Sequence, residues 1–131
     1  MNTQRNYFWL IAGIINLITA LVHTFVGQIE LINPLLISNL TTQKKAEWFS
    51  VWHIVTILLF ASAYFILKNA FATFEQRQPE LMRYVGILYI AFSIPFIISS
   101  FMYQLLVPQW ILLLPIGLLI YFGAKKTELY L

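Results

Sequence analysis

Cysteine and aspartate are both absent from this 131-residue chain. Without cysteine there is no disulfide, no thiolate nucleophile, no thiolate metal site and no cysteine-held iron–sulfur cluster. A quinone-linked thiol oxidase is excluded with them. Without aspartate no Ser-His-Asp relay can form, and Ser93, Ser99 and Ser100 lie outside any Gly-x-Ser-x-Gly turn, so a hydrolase is poorly supported. Charge is scarce as well: 8 Lys and Arg with 5 Glu make 10% of the chain, where a water-soluble domain carries about 25%. So few charges cannot cover a soluble surface, which excludes an ordinary cytosolic enzyme and a disordered protein. The net charge of +3 comes from residues at segment ends rather than from one basic face, so the sequence predicts no nucleic-acid partner.

What the chain has in abundance is apolar surface: 60% apolar residues, 17% aromatic, and a mean hydropathy of +0.79. A membrane-crossing helix needs about 20 mostly apolar residues. The charges bracket three uncharged runs, 6–29, 48–67 and 84–124, the last about twice one span. Pro108 suits the first turn of a new helix and marks the break. The sequence therefore predicts an all-α fold: an integral membrane four-helix bundle, one domain over 1–131, with helices at 7–27, 48–67, 84–104 and 108–124. The run after Arg5 is too long for a cleavable signal peptide and reads as the first span.

An even number of spans puts both termini on one side. That side holds Arg5, Lys68, Arg77, Arg83, Lys125 and Lys126, against Lys44 and Lys45 on the other, which predicts cytoplasmic termini. The expected localisation is a bacterial inner (plasma) membrane. Trp48, Trp52 and Trp110 are then expected at the outer interface and Trp9 at the inner one, as an aromatic belt. The loop from Gln28 to Glu47 is long. Asn33 and Pro34 suit the start of a short surface helix over 33–40, with a plain connector as the alternative. Asn39-Leu40-Thr41 also fits the glycosylation acceptor pattern.

Polar groups inside a bilayer usually face the bundle interior. At helical spacing, Gly13, Asn16, Ala20, His23, Gly27 and Glu30 share one face. Ser50, His53, Thr56 and Ala63 share a second, and Gly86, Ser93, Ser100 and Gln104 a third. Most of these small and hydroxyl residues suit close helix packing. His23 and His53 are the two histidines of the chain. Each lies a few residues inside the outer end of its predicted helix, so the imidazoles share a depth, about 6–9 Å below the boundary. Neutral imidazole ligates zinc, copper and haem iron and also relays protons. The alternative is that each histidine only bonds a neighbouring carbonyl or hydroxyl.

Two local patterns, His23-Thr24-Phe25-Val26-Gly27-Gln28 with Pro34-Leu35, and Trp52-His53 with Thr56, resemble a group of small uncharacterised bacterial four-helix membrane proteins. That group reads His-Ser-x-x-Gly-Glu and Trp-His; this chain departs at Thr24 and Gln28. The resemblance covers the first half of the chain and implies that His23, Gly27 and His53 belong together. No activity carries over.

The site expected from the sequence is an outward-facing pocket around His23 and His53, with Gln28, Glu30, Ser50, Trp52 and Gln104 at its rim. It would hold a metal, a haem or a small ligand, with both histidines as the metal ligands. A third ligand would come from Gln28, Glu30 or Glu47. Gly27 would make room for a haem ring, Lys44 and Lys45 would meet its propionates, and Met102 would add a thioether for copper. A second class of reading is an accessory or scaffold subunit that packs on a membrane-protein partner, or on its own copy as a homo-oligomer, within the lipid bilayer. A third is a proton-coupled carrier or membrane enzyme using the histidine pair. Small multidrug exporters share the outline, but their first-helix glutamate has Asn16 in its place. Pro95 and Pro115 predict kinks, read as bent packing or as a cavity opened towards the outer side.

Overall fold

The structure is a computed structural model and describes residues 5–129. Helix α1 runs Tyr7–Gly27 and passes through a wide π turn, Gln28–Ile32, into α2, Asn33–Ile37. Then come α3, Thr42–Phe71, a short 3-10 turn at Phe74–Gln76, α4, Pro79–Met102, and α5, Gln109–Glu128. Four helical segments are long and apolar enough to cross a membrane.

Several of the predicted boundaries are corrected by local chemistry. The first helix spans 7–27 as expected, but the short helix expected over 33–40 ends at Ile37 and does not lie apart: α1, the wide turn and α2 form one rod of 31 residues. Asn33 caps nothing by its side chain, and its backbone N–H bonds Gln28 O. Pro34 would clash with the carbonyl four residues back; the wide turn just before it displaces that carbonyl and lets the helix continue. The second span begins at Thr42 instead of 48 because the Thr41 hydroxyl accepts from Lys44 N–H as a helix cap. The third span starts five residues early, at Pro79, whose missing donor costs nothing at a first turn.

The helices α4 and α5 pack along the greatest length, followed by α1 with α3 and α1 with α5; α3 and α4 share no comparable seam. The α4–α5 approach depends on glycine. A Cβ on Gly86 would lie 2.8 Å from Tyr121 N and 2.9 Å from Gly117 O, and one on Gly117 would lie 2.8 Å from both Gly86 O and Ile90 N. In lipid there is no hydrophobic drive between helices, so close packing and hydrogen bonds must hold them.

Asn6 supplies such bonds where α1 begins. Its Oδ1 accepts from Trp9 N–H, and its Nδ2 donates to Gly123 O and Thr127 Oγ1, each at 3.0 Å. Trp9 was expected at the interface. It is 0% exposed, and its indole Nε1–H donates to Ile120 O at 3.0 Å. Gly123 gives the ring this place, since a Cβ there would stand 2.6 Å from the indole. At the same end, Asn69 Oδ1 accepts from Gln78 N–H at 3.0 Å and fixes the turn into α4. Arg83 pairs with Glu128 at 3.1 Å, but both side chains are about one-third exposed, so the pair contributes under about 1 kcal/mol.

Burial is confined to one half of the bundle. Fully buried residues span 6–20 on the first rod, 59–70 on α3, 79–93 on α4 and 116–127 on α5. Beyond those levels, among the described residues, only Ile32 is buried. The end that holds both termini carries the core; the opposite half, open by comparison, buries little. At 1.5 Å per residue the first rod and α3 are each about 45 Å long, α4 about 36 Å and α5 about 30 Å, so the first hairpin overhangs the second at the open end. Pro95 and Pro115 are both exposed on the outer surface of their helices and do not line an interior. Large apolar side chains cover the rest of the exterior, among them Phe25, Ile57, Tyr64 and Phe101. A surface of that extent is stable against lipid and unstable against water.

Candidate functional site

At the floor of the open half, three helices meet through three polar side chains. Asn16 Nδ2 donates to Ser62 Oγ at 3.0 Å, and also to Leu59 O at 3.2 Å. Tyr89 O–H donates to Asn16 Oδ1 at 2.9 Å. Ser62 Oγ lies 2.5 Å from Tyr89 Oη. Ser62 Oγ also donates along its own helix, to Leu58 O at 2.7 Å, so its single proton is shared between that carbonyl and the Tyr89 contact. The cluster leaves none of the three side chains unpaired, and each bond polarises the next. It joins α1, α3 and α4, and it is the direct side-chain link between α3 and α4 at this depth. The sequence placed Asn16 on the inner face correctly. Tyr89 was missed, although it sits between Gly86 and Ser93 on the same helical stripe.

Above this floor lies the histidine region. The His23 imidazole stacks on the Trp52 indole, with centroids 3.8 Å apart and planes 13° apart. Its Nε2 is 3.4 Å from Trp52 O, a long contact that only an N–H donor on Nε2 would satisfy. That carbonyl already accepts from Thr56 Oγ1 at 3.1 Å. Gly27 lies directly against the Trp52 six-membered ring, and any Cβ there would overlap it. The indole Nε1–H of Trp52 is buried without an acceptor. His53 follows Trp52 on α3, is half-buried, and meets the Phe49 ring edge-on at 4.3 Å. The region is therefore an aromatic wall on α1 and α3, in the half of the bundle that the core leaves open.

The expected rim is assembled only in part. His23, Gly27 and Trp52 are in contact, with His53 beside them in the chain. Gln28 sits at the start of the wide turn, where its Nε2 donates to Asn33 Oδ1 at 3.0 Å. Glu30 is exposed: the wide turn shifts the helix phase and carries its side chain off the His23 face, so Ile32 becomes the inward residue. Ser50 is exposed and donates back to Ala46 O at 2.8 Å, so it does not extend the His53 face. Gln104 is exposed just past α4 at φ 51°, where it ends the helix rather than lining the bundle. Ser100, on the same predicted stripe, accepts from Val107 N–H at 3.0 Å and pins the α4–α5 connection.

Metal and haem can be tested against this geometry. Among the described residues no three His or Glu side chains group as a metal site. The room that Gly27 makes is occupied by the protein's own indole rather than left for a haem. The donor set is thus two imidazoles, one of them covered on a face.

Four apolar helices around these polar clusters define an integral, multi-pass membrane protein of the all-α class. Comparison with protein families, with curated proteins and with solved structures finds no match to the chain.

Proposed function

We propose that this protein binds a small organic ligand of the membrane in its open half, against the His23–Trp52 wall, with His53 beside it. The observation that carries this reading is the asymmetric core: buried side chains gather at one end, and at the level of both histidines the side chains are only partly covered. Trp52 adds a buried N–H donor without an acceptor, and a ligand oxygen would supply one. A bound transition metal or haem remains the alternative occupant of the same place. It is less well supported, because it requires Trp52 to leave the His23 ring and further ligands to come from outside the two imidazoles.

The test is mass spectrometry of organic extracts, together with elemental analysis for iron, copper and zinc, on protein purified in mild detergent. A retained small molecule that is lost in His23→Ala and in Trp52→Phe, with helicity unchanged, is the expected result. Near-stoichiometric metal lost in both His23→Ala and His53→Ala would replace the organic ligand with a metal centre. Empty wild-type protein, with both variants merely destabilised, would leave the wall as packing and favour the scaffold reading.

We infer also that both termini face the cytoplasm of a bacterial cell, from the six-to-two distribution of Lys and Arg. The absence of native cysteine makes this simple to check. With a membrane-impermeant maleimide on intact cells, Asn39→Cys should label and Leu129→Cys should not; the reverse pattern would invert the topology.

A further inference from the structure

The closed end gathers cations. Arg83 there pairs with Glu128 at 3.1 Å. Arg5, Lys68, Lys125 and Lys126 are exposed and stand outside that pair. Two of them rest on aromatic rings instead. The Arg5 guanidinium lies 5.5 Å from the centroid of Phe71, and Lys126 Nζ lies 5.8 Å from that of Phe8. Lys68 is three residues before Phe71, on the same helical face, so it shares the side of α3 that Arg5 covers. The start of α1 is therefore flanked by Arg5 and Lys68 towards α3 and by Lys126 towards α5. Beside them are the rings of Phe8 and of Phe71, the last residue of α3, which is exposed.

We propose that this face binds the phosphate headgroup of an anionic phospholipid, clamped by Arg5 and Lys68 beside Phe71, with its acyl chains against the apolar sides of α1 and α3. Three features select this occupant. Arg5 stands over a ring and Lys68 is exposed, so both remain available to a phosphate oxygen. They stand at the ends of spanning helices, which is headgroup depth. The apolar exterior of α1 and α3 begins directly next to them, with Ile11, Tyr64 and Phe65 exposed, which suits a ligand that is charged at one end and apolar for the rest of its length. A polyanion such as RNA would meet the charges but would leave the apolar part of the surface uncovered.

The experiment is a titration of purified, delipidated protein in neutral detergent with dioctanoyl-phosphatidylglycerol and, separately, dioctanoyl-phosphatidylcholine, read as thermal stabilisation. Insertion orientation plays no part in this format. The glycerol lipid should bind more tightly than the choline lipid, and added salt should weaken it. A basic residue near an anionic headgroup changes affinity by about fivefold, so Arg5→Gln with Lys68→Gln should weaken binding by about thirtyfold. The paired substitution Lys44→Gln with Lys45→Gln, at the opposite end of the bundle, should leave it within about twofold. Equal affinity for the two lipids, or equal losses in the two double variants, would overturn the proposal. Equal stabilisation by inorganic phosphate at the same concentration would do so too, by making the site one for a free anion. Both pairs of substitutions are on exposed side chains, and circular dichroism verifies that each variant is folded before titration. This inference is independent of the ligand in the open half.

Discussion

Gly86→Leu should abolish the folded bundle, and Gly86→Ala alone should cost about 1–3 kcal/mol. The reason is what the new side chain meets. A Cβ at Gly86 runs into the Tyr121 backbone nitrogen at 2.8 Å, the Gly117 oxygen at 2.9 Å and the Tyr121 Cα at 3.1 Å. None of these atoms can rotate away. Relief requires α4 and α5 to separate along the most extensive helix pair in the protein, and dispersion contacts decay steeply with separation. Gly13 provides the internal control. Its Cβ would meet Leu67 side-chain atoms at 2.6 and 2.7 Å, and a leucine can change rotamer. Gly13→Ala should therefore be clearly milder than Gly86→Ala. Unfolding in mixed detergent–SDS micelles measures both. Equal tolerance of alanine at positions 13 and 86 would mean that the α4–α5 backbone contact is looser than described.

Asn16→Ala should be the next most damaging change, at about 2–3 kcal/mol. It removes a side chain that bonds Leu59 O, Ser62 and Tyr89 at once, in the apolar middle of the span where water cannot replace them. Tyr89→Phe should cost less, because Asn16 and Ser62 still bond each other. The shared cluster makes a sharper prediction. In a double-mutant cycle the two changes should couple by more than about 1 kcal/mol, since each removes a hydrogen-bond partner of the other. Additive losses would reduce the cluster to independent contacts. Because the same residues bridge α3 and α4, Tyr89→Phe should also widen the open half, and it is a useful variant for the ligand search.

The number of spans was legible in the sequence because a bilayer imposes a length and an apolar composition that the four runs meet. The inner stripe of α1 was legible as far as Ala20, because 3.6-residue periodicity places Gly13 and Asn16 with it and nothing interrupts the helix. The same rule failed at Glu30, where the wide turn before Pro34 breaks the period. It also failed at Ser50, which bonds its own helix. The two histidines were expected at a common depth; His23 does contact the residue next to His53, which fits that expectation. What the sequence could not give was the partner of the His23 ring. Gly27 signalled space for a flat group, but only the packing of α1 on α3 says that Trp52 fills it.

The amino-acid sequence by itself determined that the chain is helical, that it crosses a membrane four times, and where its charges gather, because each of these follows from local composition and periodicity. The tertiary structure alone decided that the core closes at one end and opens at the other. It placed Trp9 inside instead of at the interface, and it joined Asn16, Ser62 and Tyr89 in one hydrogen-bonded cluster. Those outcomes depend on which helices touch and at what height, and that is set by contacts between residues as far apart in the chain as Asn6 and Thr127, which no local pattern encodes.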